Sequence, residues 1–172
     1  MKRTRATSLN YRPSQFRMTM IPALSVMVAS ALPAMLPIIA KSPILPPLGL
    51  MMFVSWRLLR RDVFPIWIGA PLGFFDDLVS GQPLGSAIFL WSMIMIALET
   101  IEDRFIWRDY WMEWFFASVA ISLCLIIGLL FANLHGGPTP IQMILPQIFF
   151  SILFYPLIAR ICSMLDNIRL GR

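Results

Sequence analysis

The chain has 172 residues, of which 58% are hydrophobic and 13% charged, with 14 Lys and Arg against 9 Asp and Glu for a net charge of +5. A mean hydropathy of +0.75 and a charged fraction about half that of ordinary soluble domains exclude a soluble globular fold. The composition instead specifies a single all-α polytopic membrane domain over residues 1–172, too short for two domains.

A basic tail, residues 1–17, comes first and carries Lys2, Arg3, Arg5, Arg12 and Arg17. It precedes an apolar run from Met18 to Ala40 that contains Pro22, Pro33 and Pro37, so a kink is expected near its far end. No small-x-small cleavage site follows a short apolar core, and the first span is read as retained. Further apolar runs cover about 44–59, 63–75, 84–100, 110–134 and 140–165. A spanning helix needs about 20 apolar residues. The second and third runs fall short of that and hold Pro43, Pro46, Pro47, Pro65 and Pro71. They are either short helices buried against neighbours or a re-entrant pair.

Charge supports six spans with both termini cytoplasmic. On that count every Lys and Arg lies on the terminal side except Lys41, the asymmetry expected of cytoplasmic loops in an inner-membrane protein. The basic residues flank spans and lack the interleaved aromatics of a nucleic-acid surface, so topology and anionic headgroups account for them. Trp56, Trp67, Trp107, Tyr110, Trp111 and Trp114 fall near span ends, where an aromatic belt is expected; Trp91 is the exception.

Catalytic, cofactor and metal signatures are missing from the sequence. The only histidine, His135, sits in a Gly-Pro turn with no companion ligands, and Gly136-Gly137-Pro138 lacks the strand and Lys-Ser/Thr of a phosphate cradle. Cys124 and Cys162 fall inside apolar runs and are read as packing residues. Glu99, Glu102, Asp103, Arg104, Arg108, Asp109 and Glu113 form a mixed-sign cluster, read as a solvated turn with local pairs.

The informative stretch is Gly73 to Gly85, where Asp76 and Asp77 follow directly on an apolar run. Carboxylates in such a setting cost several kcal/mol on insertion scales and are normally paired, hydrated or functional. Three readings are open. The pair caps the next element through a turn at Ser80, Gly81 and Gln82; it contacts a partner protein; or it forms an ion or substrate site. Neighbouring helical residues point about 100° apart, so both carboxylates face one ligand only if the backbone unwinds. Gly81 and Gly85 permit that.

Gly73, Asp77, Gly81, Pro83, Leu84 and Gly85 form a Gly-x-x-x-Asp-x-x-x-Gly-x-Pro-x-Gly block with Asp76 as an extra carboxylate. With the basic N-terminus, the six apolar runs, Pro46-Pro47-Leu48 and Tyr155-Pro156-Leu157, the chain resembles the MreD family of bacterial rod shape-determining membrane proteins. The resemblance implies a non-enzymatic scaffold of the elongasome that binds MreC. Directly or through MreC it acts on RodA and its penicillin-binding transpeptidase partner in lateral peptidoglycan synthesis, with no cofactor. It also implies a fold similar to the six-helix substrate-binding subunits of energy-coupling-factor transporters. A vitamin or small-molecule transporter subunit is therefore the alternative, and an enzyme acting on a lipid carrier a distant third. The residues singled out as partner-contact or fold-shaping candidates are Gly73, Asp76, Asp77, Gly81, Pro83 and Gly85.

Overall fold

The computed structural model describes residues 15–35, 45–102, 110–136 and 140–170. Within them the chain is all-helical: α1 is Gln15–Met35, α2 Leu48–Leu59, α3 Gly69–Ser80, α4 Ser86–Glu102, α5 Tyr110–Gly136 and α6 Leu145–Leu170. Short 3-10 turns at Arg61–Val63, Ile66–Ile68 and Ile141–Met143 complete it. The basic tail before residue 15, Pro37, Lys41, the charged loop 103–109 with Trp107, and the side chain of His135 lie outside the described residues.

Three helical stretches, Met18–Met35, Tyr110–Leu134 and Ile141–Leu170, are long and apolar enough to cross a membrane. Their outer faces stay apolar: Leu24 and Val28 on α1, Leu123 and Leu130 on α5, and Phe149 and Leu153 on α6 are all exposed. A helix that is hydrophobic on every side suits lipid on one face and protein on the other.

The shortest apolar helix is the one most deeply enclosed. All residues from Gly49 to Leu58 in α2 are buried, and α1, α5 and α6 pack around it. Twelve residues give about 18 Å of helix, well under the ~30 Å hydrocarbon thickness. Neighbouring protein, not lipid, therefore surrounds its ends. Pro47 starts it, its carbonyl accepting the Met51 N–H at 3.0 Å, and Arg60 leaves it in an extended conformation. Gly49 allows α1 to come close, since a Cβ there would lie 3.1 Å from the Ser30 Cα. Farther along, Phe53 stacks on Trp91 at 4.7 Å between ring centroids, joining α2 to α4.

The third helix is displaced from its expected position. Residues 63–75 were the expected span, yet 63–68 form a 3-10 turn and extended links, and α3 runs from Gly69 through both aspartates to Ser80. Pro65 explains the shift. It disfavours helical geometry in the residue before it, and Phe64 is accordingly extended at φ −120°, ψ 123°. Pro71 is tolerated because it falls in the first turn, where N–H groups have no intrahelical acceptor. Asp76 and Asp77 thus lie within a helix and not at its end.

Charged side chains gather at the end of α2 that carries Arg57 and Arg60. Arg57 is only 1% exposed and pairs with Glu99 of α4, itself 46% exposed. Arg60 pairs with Asp166 of α6 at 2.7 Å, and Asp166 also lies 3.5 Å from Arg169. The Arg169 guanidinium in turn sits over the Trp56 ring, 6.0 Å from its centroid. Glu99 therefore makes a pair across 42 residues, a long-range partner that the solvated-turn reading did not include.

Trp56 corrects the belt expectation. It is fully buried, and its indole N–H donates to Ser25 Oγ at 2.8 Å. Trp67, Tyr110 and Trp111 are exposed, as belt residues should be, while Trp114 is half-buried and donates to the Ile152 carbonyl at 3.1 Å. Cys124 and Cys162 are buried thiols in the core, Cys162 Sγ lying 3.3 Å from Met52 Sδ.

Removing one member of a buried ion pair costs far more than replacing both by apolar groups. Glu99→Leu should lower stability by about 2–4 kcal/mol, and Arg57→Met with Glu99→Leu should recover at least half of that loss. Melting temperatures of the purified protein in one mild detergent check the order.

Candidate functional site

The face of α3 that meets α4 is built from residues four apart. Gly69, Gly73 and Asp77 lie one above another on a helix, because four residues make slightly more than one turn. A Cβ on Gly73 would fall 2.6 Å from the Ala87 carbonyl oxygen and 2.8 Å from the Ile88 nitrogen. One on Gly69 would fall 2.9 Å from the Trp91 carbonyl oxygen. These are backbone atoms of α4 and cannot swing aside. Small residues at this spacing let two helices approach backbone to backbone, the main source of helix association where lipid supplies no hydrophobic drive.

One turn further, the stripe ends in a carboxylate, and α4 begins opposite it. Asp77 is 1% exposed. Its Oδ2 accepts the Gly85 N–H at 2.8 Å, with a longer 3.5 Å approach from the Ile88 N–H. Its Oδ1 accepts the Ala87 N–H at 2.9 Å and the Ser86 hydroxyl at 3.0 Å. The first N–H groups of a helix have no acceptor within it, and the helix dipole favours negative charge there. Asp77 is therefore an N-cap supplied from the preceding helix. Charge-assisted bonds to backbone N–H groups are among the stronger neutralising contacts a carboxylate can make without a cation.

The turn between the two helices makes that contact possible. Gly81 ends α3 in the left-handed region at φ 69°, and Gly85 precedes α4 at φ 102°. A Cβ at either would meet nothing within 4 Å, so glycine is needed for backbone conformation and not for space. Between them Pro83 offers its carbonyl to the Ser86 N–H at 3.1 Å. The five residues Gly73, Asp77, Gly81, Pro83 and Gly85 are thus brought together in one helical hairpin.

Asp76 does not share that arrangement. It is half-buried, takes no part in capping α4, and lines two cavities, one reaching α4 and α5 and the other α1. The aspartate pair is divided: one carboxylate is consumed in the fold, the other faces open space. No backbone unwinding occurs, and α3 stays helical through both. Three residues of this region escaped the sequence reading, namely Gly69, Ser86 and Ser30. Gly69 was visible as the fourth-residue repeat before Gly73 and Asp77, and Ser86 as a hydroxyl at a helix start. Ser30 carried no signal, because only the folded chain brings it to α3. Among the described residues, no group of three or more His, Cys, Asp or Glu side chains could hold a metal ion.

Asp77→Ala would leave two backbone N–H groups and a hydroxyl without their acceptor, an expected loss of about 2–4 kcal/mol. Asp77→Asn keeps one acceptor oxygen and should lose roughly half as much. Gly73→Ala should destabilise by about 1–3 kcal/mol through overpacking. At Gly128, by contrast, an added Cβ would meet only Leu90 Cδ1, at 3.8 Å. Gly128→Ala should be neutral or stabilising by about 0.5 kcal/mol. Thermal unfolding of the four variants in one detergent checks all of these.

Comparison with characterised proteins and with solved structures gives no significant match. The family model for the rod shape-determining protein MreD matches residues 14–165, from the start of α1 almost to the end of α6 and through the whole hairpin. With nearly the full chain matched, this all-helical membrane protein belongs to the MreD family of rod shape-determining proteins.

Proposed function

We propose that the protein is a non-enzymatic scaffold of the bacterial elongasome in the inner membrane. On this reading it binds MreC and, directly or through it, supports RodA and its penicillin-binding transpeptidase partner in lateral peptidoglycan synthesis. The match to the MreD family over residues 14–165 carries the reading. The geometry is in keeping with it: Asp77 is occupied in joining α3 to α4, and Arg57, Arg60 and Asp166 in joining α2 to α4 and α6. These are the uses to which a structural membrane protein puts its few charges.

We place both termini in the cytoplasm. The charge partition supports this, and so does the packing. Arg57, Arg60, Asp166 and Arg169 meet at one end of the bundle, while the α3–α4 turn lies at the opposite end of both helices. The positive-inside rule then assigns the arginine end to the cytoplasm and the hairpin turn to the outer face. Gly73, Asp77, Gly81, Pro83 and Gly85 are proposed to shape the fold. Asp76, which faces the cavities, is the member of the pair available to something else.

Cross-linking of the tagged protein in its native membranes, with purification in mild detergent and mass spectrometry, tests the assignment. Recovery of MreC with RodA and its transpeptidase is the expected result. Recovery of paired ATPases with a coupling membrane subunit would instead establish a transporter subunit. In cells depleted of the native protein, Gly73→Leu should fail to restore rod shape, whereas Gly128→Ala should restore it fully.

A further inference from the structure

Two cavities meet at Asp76. One, of about 280 Å³, extends toward α4 and α5 and is lined by Leu90, Trp91, Cys124 and Gly128. The other, of about 420 Å³, extends toward α1 and is lined by Ser30, Pro33 and Gly49. Pro47, Asp76, Gln82 and Gln147 line both. Gln82 and Ser80 are exposed, so the shared wall reaches the surface beside the α3–α4 turn.

The one charged group among the described residues of this wall is an acceptor. Asp76 offers a carboxylate. Gln147 anchors its amide nitrogen on the Leu45 carbonyl at 2.8 Å, which leaves its oxygen as the end it can present. Ser30 is 6% exposed, and its hydroxyl lies beside the Asp76 carboxyl as a donor, which leaves its oxygen lone pairs for another group. Among the described residues, no Lys, Arg or His side chain lines either cavity. A half-buried carboxylate that no described cation faces is costly unless further donors complete its shell. Apart from Gln82 and Ser80 at the mouth, the rest of the wall is apolar, and a site of a few hundred Å³ with a few converging polar groups has the anatomy of a small-ligand pocket.

We propose that the Asp76 cavity binds a protonated primary amine, its ammonium group set between the Asp76 carboxylate and the acceptor oxygens of Ser30 and Gln147. An ammonium group has three N–H donors and no acceptor, the complement of this wall. The amine arrives either on an aminophospholipid headgroup or as a free small molecule, and both present the same chemistry. This inference does not rest on the elongasome reading and stands or falls separately.

The full-length protein in nanodiscs of phosphatidylethanolamine, or of phosphatidylcholine with and without added ethanolamine, provides the test. Choline has the charge but no N–H donors. Retention of lipid by native mass spectrometry should favour phosphatidylethanolamine over phosphatidylcholine by about tenfold, the value of one charge-assisted hydrogen bond. Asp76→Asn should abolish the preference and Ser30→Ala should weaken it. Both variants should keep the wild-type melting temperature in phosphatidylcholine, which separates lost binding from lost fold. Stabilisation by phosphatidylethanolamine alone assigns the headgroup, and saturable stabilisation by free ethanolamine assigns a soluble amine. Equal retention of the two lipids together with no response to ethanolamine overturns the proposal. So does a response that Asp76→Asn and Ser30→Ala both leave intact.

Discussion

A carboxylate enclosed in an apolar chain must find donors, and the Asp77 side chain finds them on the backbone of the next helix. Much of the remaining structure serves that one contact. The acceptor can reach the N–H groups of residues 85 and 87 only if α3 and α4 lie almost in backbone contact, which Gly69 and Gly73 allow. The chain must also reverse within five residues, which the left-handed Gly81 and Gly85 allow. The hairpin is therefore a coupled unit. Each element alone is weak: glycines lower helix propensity, and a buried charge is expensive. Together they replace a helix start without acceptors and a carboxylate without donors by one satisfied interaction.

The opposite end of the bundle solves a different problem. Helix α2 is about 18 Å long and wholly enclosed. Its last turn carries Arg57, a charge placed where lipid cannot hydrate it. The solution is a network across distant segments: Glu99 reaches in from α4, Asp166 from α6, and Trp56 lies under Arg169. Pairs of this kind add little net stability against an apolar core, yet separating the partners leaves an uncompensated buried charge and is costly. In a core of Leu, Met and Phe side chains, that cost falls on any placement of α2 that parts Arg57 from Glu99.

How much of this was legible in the sequence follows from the range of each signal. The Gly-x-x-x-Asp-x-x-x-Gly block was readable because its logic is local. The residues that need one another lie within thirteen positions, and the spacing itself encodes the shared face. Composition and apolar runs were likewise sufficient for an all-helical membrane chain. The boundaries of α3 were misjudged because hydropathy does not register Pro65, which interrupts the apolar run without changing its hydrophobicity. Trp56 was misassigned for a related reason. Its position near a span end suited an interfacial ring, but burial depends on α1 supplying Ser25, 31 residues away. Glu99 looked like one more charge in a polar loop, since nothing local announced a partner 42 residues earlier.

The adjacency of the two aspartates is the last point at which sequence and structure inform each other. Read alone, a doubled carboxylate suggests a doubled function, two ligands for one ion. Helical geometry makes that reading untenable once α3 is continuous, because successive side chains diverge by about 100°. The divergence places one carboxylate against α4 and the other against the space between α1 and α6. A single helical turn thus holds both a capping carboxylate and one that faces a cavity, and the two are held apart by the same rigidity that the capping contact creates. Whatever occupies the Asp76 cavity would meet a carboxylate whose position is fixed by Asp77. Occupancy there is therefore linked to the α3–α4 hairpin, where Gly69 and Gly73 bring two backbones together. A site held in this way is preorganised: its occupant need not order the backbone that presents it.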